Sequence, residues 1–117
     1  MVPLTRLFVC LALVVATSVP TVARQSPLLY VCVQDDAKIA VIDMTTATVV
    51  RMIDLTALGY TATAKPHYIA VEPEGAHWYV SLIGANRVLR FDRDGTPGAF
   101  FEMGTPGMIA FAGTQQM

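Results

Sequence analysis

An internal repeat constrains this chain more than any other feature of its sequence. Residues 30–43 align with residues 79–92 at an offset of 49, with Tyr, an apolar residue and Asp at matching places. A second alignment pairs residues 66–70 with residues 106–110 at an offset of 40. Residues 56–64, TALGYTATA, have no counterpart in the next repeat and account for the difference of nine. The underlying period is therefore about 40 residues with one loop insertion.

Short strands fill this period. Segments rich in Val, Ile, Tyr and Phe alternate with turn sequences such as EPEG at 72–75 and DGTPG at 94–98, which favours strands over helices. The complete repeat is predicted to hold four strands, at 68–71, 77–82, 88–92 and 99–103. The first repeat supplies three, at 29–33, 39–43 and 45–50, and one more is predicted at 108–111. A period of this length with four short strands indicates blades of an all-β propeller.

The N-terminus has the pattern of a secretory signal peptide. Arg6 precedes ten apolar residues, 7–16, and a polar stretch then leads to Thr-Val-Ala at 21–23. The apolar run is shorter than the roughly 20 residues that span a bilayer. We therefore predict a signal-peptide helix within residues 1–23, with cleavage after Ala23. A buried N-terminal helix or an uncleaved anchor is the alternative.

Composition excludes several classes of partner and structure. With 54% hydrophobic and 15% charged residues, the chain is too apolar to be disordered. Its net charge of −1 becomes −2 without Arg6, so no basic patch predicts nucleic acid as a partner. Cys32 is the only cysteine beyond the predicted leader, which rules out a disulfide within the mature chain. We expect a secreted or periplasmic protein with no stable membrane anchor after cleavage.

Four sequence segments resemble one known family. They are IAVID at 39–43, TTATVV at 45–50, PHYIAVEPEG at 66–75 and WYVS at 78–81. Together they resemble the YVTN-type β-propeller repeat family over nearly the whole mature chain. The chain departs from that pattern at Cys32, where the family has its name-giving Thr, at Glu74, where a turn Asp is usual, and in the insertion.

The resemblance implies a ring of about seven blades, which this chain is too short to supply. We predict that residues 24–117 form a partial β-propeller of about two four-stranded antiparallel blades. Our interpretation is that the chain is a fragment. The alternative is a subunit that self-associates through its open blade faces.

The sequence leaves two classes of function open, a binding module and an enzyme. Relatives implied by the resemblance include binding scaffolds, surface proteins, lactonase-like hydrolases and domains of periplasmic redox enzymes. We favour an exported, non-enzymatic module that binds a protein, a polysaccharide or a small ligand through its loops. The alternative is a fragment of a periplasmic propeller enzyme, either a lactonase-like hydrolase or a redox enzyme.

No catalytic residue and no cofactor are predicted. His67 is a weak candidate metal ligand, because some relatives bind copper through a Pro-His element at this place, but a metal site needs several converging ligands. Asp43 and Asp92 recur at one repeat position and are expected to accept N–H bonds from the turns that follow them. Cys32, in the middle of a strand, is expected to be an inert small apolar residue. His77 is expected to be solvent-exposed at a turn.

Overall fold

The computed structural model describes residues 24–113, and the leader predicted for residues 1–23 lies outside them. The described chain is all-β. Its strands are β1 (Leu28–Val33), β2 (Lys38–Asp43), β3 (Thr48–Asp54), β4 (Pro66–Val71), β5 (His77–Leu82), β6 (Arg87–Asp92) and β7 (Pro97–Glu102). They form one antiparallel sheet of three strands, in the order β1-β2-β3, and one of four, in the order β4-β5-β6-β7. Between residues 24 and 113, no helix is long and apolar enough to cross a membrane.

Seven of the eight predicted strands are present. The strand at His77–Leu82 has the predicted bounds, and most of the others begin or end within a few residues of them. The strand predicted at 108–111 is wrong, because residues 103–113 contain no regular secondary structure. This segment instead crosses the outer face of the second sheet, where the Ser81 hydroxyl donates a hydrogen bond to the Gly107 carbonyl oxygen (2.7 Å).

The two sheets pack face to face around one apolar core. Trp78 of β5 is fully buried and stacks between two rings, Tyr30 from the first sheet and Phe91 from β6, at centroid distances of 4.5 and 4.4 Å. Its indole N–H donates a hydrogen bond to the Asp92 carbonyl oxygen (2.8 Å), so the ring is fixed at both its apolar and its polar end. Aliphatic side chains from both sheets, and Leu55 just after β3, complete this core; those in the sheets are Ile39, Val41, Ile53, Val80, Leu82 and Leu89.

The two sheets share one pairing register after a shift of 49 residues. Leu29 lies opposite Ile42 in β1–β2, and Trp78 lies opposite Phe91 in β5–β6. The same shift relates every pair along these strands, down to the last pair at each turn. Since alternate residues of a strand face opposite ways, residues equivalent in the repeat point to equivalent faces of their sheets. The sequence repeat is therefore also a repeat of strand pairing.

Candidate functional site

The insertion at 56–64 closes one end of the interface between the sheets. It begins with a 3-10 helix, Thr56–Leu58, which Gly59 ends with a left-handed φ of 91°. Ala64 is fully buried, and its carbonyl oxygen accepts a hydrogen bond from the Gly84 N–H (2.9 Å). A Cβ at position 84 would overlap the Thr63 carbonyl group, so only glycine allows this approach. The insertion is thus docked against the β5–β6 turn.

A cleft of about 530 Å³ lies between the insertion and the edge of the second sheet. Tyr60 from the insertion and Phe100 from β7 line it, with Arg87 of β6 between them. The Arg87 guanidinium carbon is 4.4 Å from the Phe100 ring centroid and 5.8 Å from that of Tyr60, within the range of cation–π contact. In the described part of the chain the guanidinium forms one ion pair, at 3.2 Å, with Glu102, whose side chain is 75% exposed. The cleft therefore combines two aromatic faces with one fixed cation.

His67 does not meet other metal-binding side chains. It is exposed at the start of β4, and its Nδ1 lies 3.2 Å from the Oε1 atom of Gln34. Across the described residues, no three His, Cys, Asp or Glu side chains converge as a metal ion would require. A ligand role for His67 therefore remains a prediction. Among the described residues, no group of metal-binding side chains includes it.

His77 is half-buried between two carboxylates, rather than simply exposed. Its Nδ1 lies 2.9 Å from Glu72 Oε2, and its Nε2 lies 3.6 Å from Asp92 Oδ1. The Tyr79 hydroxyl donates to the other oxygen of Glu72 (2.9 Å). The hydrogen bond from His77, followed by that from Tyr79, lowers the pKa of Glu72. Because its two ring nitrogens lie near different carboxylates, His77 links β5 to the turn that contains Glu72 and to the end of β6.

The expectation for the repeated aspartates is correct at one position and wrong at the other. Asp43 Oδ1 accepts hydrogen bonds from the N–H groups of Thr45 (2.7 Å) and Thr46 (3.2 Å), and the first of these lowers the pKa of Asp43 most. At the second position the turn is capped by Asp94, which accepts the Thr96 N–H (3.0 Å). The Asp92 carboxylate lies beside His77 instead, with its Oδ1 atom 3.6 Å from the Nε2 atom of His77.

Cys32 behaves as the apolar residue that its place in β1 predicts. It packs against the core between the sheets, and burial raises the pKa of its thiol to about 11. The thiol is therefore protonated at neutral pH, which removes its nucleophilic form. Its repeat equivalent is Ser81, whose buried hydroxyl is used for hydrogen bonding.

The outer face of the first sheet is strongly apolar. Leu29 and Val31 of β1 are 45% and 37% exposed, and Val49 and Met52 of β3 are 55% and 50% exposed. Apolar residues grouped on one side of a sheet, unlike single exposed ones, mark a surface that binds something. In the repeat, Leu29 and Val31 correspond to Trp78 and Val80, which are fully buried between the sheets.

A scan against protein-family models finds no match to this chain, and a search of the curated proteins finds no relative.

The cleft residues Tyr60, Arg87 and Phe100 are not among the sites predicted from sequence. Arg87, a charged residue at the start of β6, is half-buried between aromatic rings. The signal that points to the cleft is the insertion itself. A loop that interrupts a repeat is not needed to build the repeated sheets, so its residues are available for binding.

Proposed function

We propose that this chain is an exported repeat module of the YVTN-type β-propeller kind, and that it serves as a non-enzymatic binding scaffold. The observation that carries the proposal is the common register of β1–β2 and β5–β6 at an offset of 49 residues, in two sheets that pack face to face. Successive antiparallel sheets stacked in this way are the building principle of propellers. Because such a fold hosts many activities, the function must come from the loops.

The cleft beside the insertion is the proposed binding place. Its volume, about 530 Å³, lies within the range of small-ligand sites, which are mainly apolar with a few placed polar groups. Tyr60 and Phe100 offer flat apolar surfaces, and Arg87 can pair with a carboxylate through its planar guanidinium. Glu102, the present partner of Arg87, has a side chain that is 75% exposed and can be displaced. These groups together suit an acidic sugar unit of a polysaccharide.

The binding proposal is tested by titrating the full chain with short oligosaccharides of uronic acids, with neutral oligosaccharides of the same length for comparison. We expect NMR shifts confined to residues 58–61, 84–87 and 97–100, and Phe100→Ala should weaken binding at least tenfold. Phe101→Ala is the matched control, since Phe100 and Phe101 are 51% and 53% exposed on opposite faces of β7. Shifts at other places, or equal losses in both variants, would overturn this assignment.

Export is tested separately by expressing the chain with its own leader in a bacterial host. N-terminal sequencing of released or periplasmic material should give a mature chain that begins at Arg24. Material found only in the cytoplasm, or a released chain that keeps residues 1–20, would contradict export.

A further inference from the structure

Two parts of this chain are complementary but lie on opposite sides of the molecule. The first is β1, which is an edge strand of the first sheet, with no strand on its free side within residues 24–113. The second is the segment 106–111, which pairs with no strand in the described part of the chain. A free strand edge readily accepts another segment through main-chain hydrogen bonds.

The repeat gives the register in which these two parts would pair. β1 is equivalent to β5 at an offset of 49, and residues 106–110 are equivalent to 66–70 in β4 at an offset of 40. β4 and β5 are antiparallel neighbours in which Tyr68 lies opposite Ser81. Applied to β1, the same register places Met108 opposite Cys32.

The two exposed outer faces of the sheets are also complementary to each other, as β1 and segment 106–111 are. Within the chain, the face of β5 that carries Trp78 is buried against the face of β1 that carries Tyr30. The exposed outer face of the first sheet, with Leu29, is the repeat equivalent of the Trp78 face. The outer face of the second sheet, with Tyr79, is the equivalent of the Tyr30 face. Each open face therefore matches one half of the interface that the chain already forms internally.

Residues 106–111 already lie where the first strand of a third sheet would begin. Gly107 is hydrogen-bonded to Ser81 on the outer side of β5, and Phe111 packs edge-to-face on Tyr79, with ring centroids 5.5 Å apart. Met108, by contrast, is 81% exposed, although it lines an apolar pocket together with Val88 and Phe101. The segment cannot reach β1 of its own chain without disrupting the core, because the second sheet stands between them.

We propose that the first sheet of a second copy docks on the outer face of the second sheet and takes residues 106–111 as its fourth strand. The contact is head-to-tail, so each copy offers one acceptor face and one donor face, and rotation between copies allows a ring to close. Closed rings of about four to eight sheets would contain two to four copies. The inference rests on the same repeat as the proposed function, but it does not involve the cleft.

The register is tested by a disulfide trap in the full chain, in a Cys10→Ser background, with oxidised glutathione accepting the electrons from the thiols. Residues opposite each other in antiparallel strands have Cα atoms about 4.5–5.5 Å apart, within the range that a disulfide spans. Met108→Cys should therefore form covalent dimers and higher multiples through Cys32 of a neighbouring copy. The added Cys32→Ala change should abolish them.

Ile109→Cys is the matched control, because its side chain would point to the opposite face from Cys32. We expect at least tenfold less cross-linked product from it than from Met108→Cys. Because the Cys32 thiol reacts slowly, the oxidation is prolonged at about pH 9, where more of it is thiolate. Equal cross-linking of the two variants, a Met108→Cys chain that stays uncross-linked under these conditions, or an internal disulfide within one chain would each overturn the proposal. Sugar binding that persists in an uncross-linked chain would show that the assembly fails independently of the binding function.

Discussion

Tyr30 and Trp78 stack across the interface between the two sheets, with ring centroids 4.5 Å apart and planes inclined by 29°. The Tyr30 hydroxyl also donates a hydrogen bond to the carbonyl oxygen of Arg93 (2.8 Å), the residue that directly follows β6. One tyrosine therefore joins the first sheet to the second through both its ring and its hydroxyl. Its repeat equivalent, Tyr79, points to the outer face, where its ring meets Phe111 and its hydroxyl donates to Glu72. The same residue type thus joins two sheets at one position and contacts only segments next to its own sheet at the other.

Trp78→Ala should destabilise the fold more than any other single truncation. The side chain is fully buried between Tyr30 and Phe91, and removal of a buried aromatic side chain costs about 3–5 kcal/mol. Urea unfolding followed by circular dichroism measures the loss. Phe100→Ala, at a half-exposed aromatic residue, should cost less than about 1 kcal/mol. Similar small losses in both variants would contradict the interface described here.

Ser81→Ala should release the C-terminal segment. The buried hydroxyl donates to the Gly107 carbonyl oxygen and accepts the Tyr68 N–H (3.1 Å). Its removal deprives the half-buried Tyr68 N–H of this hydrogen bond, at a cost of about 1 kcal/mol. Amide hydrogen exchange in residues 105–112 should become faster, whereas Thr46→Ala, at an exposed hydroxyl, should leave it unchanged. Unaltered exchange in Ser81→Ala would mean that other contacts hold this segment.

Cys32 should react slowly with alkylating reagents in the folded chain. Burial raises the pKa of its thiol from an ordinary value of 9.0 to about 11, so at pH 8 the thiolate fraction is about 100-fold smaller than in the unfolded chain. Mass spectrometry after timed addition of iodoacetamide, with and without urea, measures the ratio. Modification at one common rate in both conditions would show that the thiol is not shielded.

Acid should destabilise the protein as the pH falls below about 4.5. Hydrogen bonds from His77 and Tyr79 lower the pKa of Glu72 from its ordinary 4.5, and turn hydrogen bonds lower that of Asp43 from 3.8. A carboxylate with a lowered folded-state pKa stabilises the fold above its unfolded value, and this contribution is lost as the pH falls through the folded-state value. Urea midpoints between pH 6 and 3 should therefore decrease.

Glu72→Gln should make this pH dependence shallower, because it removes one of the groups whose pKa is lowered. The exposed Glu74, two residues further along the same turn, provides the control, and Glu74→Gln should leave the slope unchanged. A slope that is equal in the two variants would assign the acid sensitivity to other carboxylates.

The sequence was sufficient to predict where the strands lie, but it did not predict what each segment packs against. Alternating apolar residues and turn signals are local, so they predicted β5 at its correct bounds and the all-β class. Residues 108–111 can form a strand only where a neighbouring strand edge is within reach, and local sequence does not encode this. These residues have strand-like composition, yet they lie against a sheet face instead of an edge.

The cleft could not be predicted from the sequence for a related reason. Arg87 and Phe100 lie on adjacent strands, and Tyr60 reaches them only because the insertion folds back onto Gly84. Spacing along the chain predicts none of this, since the contact joins a loop to a sheet edge some 27 to 40 residues later. The His77 network was missed similarly, because Asp92 comes close to it only through the pairing of β5 with β6.

The central claim is that the two sheets are successive units of one repeating stack, which further sheets complete on both open faces. Size-exclusion chromatography with multi-angle light scattering on the mature full chain tests it most directly. Exposed apolar residues such as Leu29 and Met52 should drive association, because each fully buried side chain of this kind contributes about 1.5–3 kcal/mol. We predict particles of two to four chains, accompanied by aggregates that bind hydrophobic dyes. A monodisperse monomer with a cooperative thermal transition would contradict the claim and require a self-contained β fold.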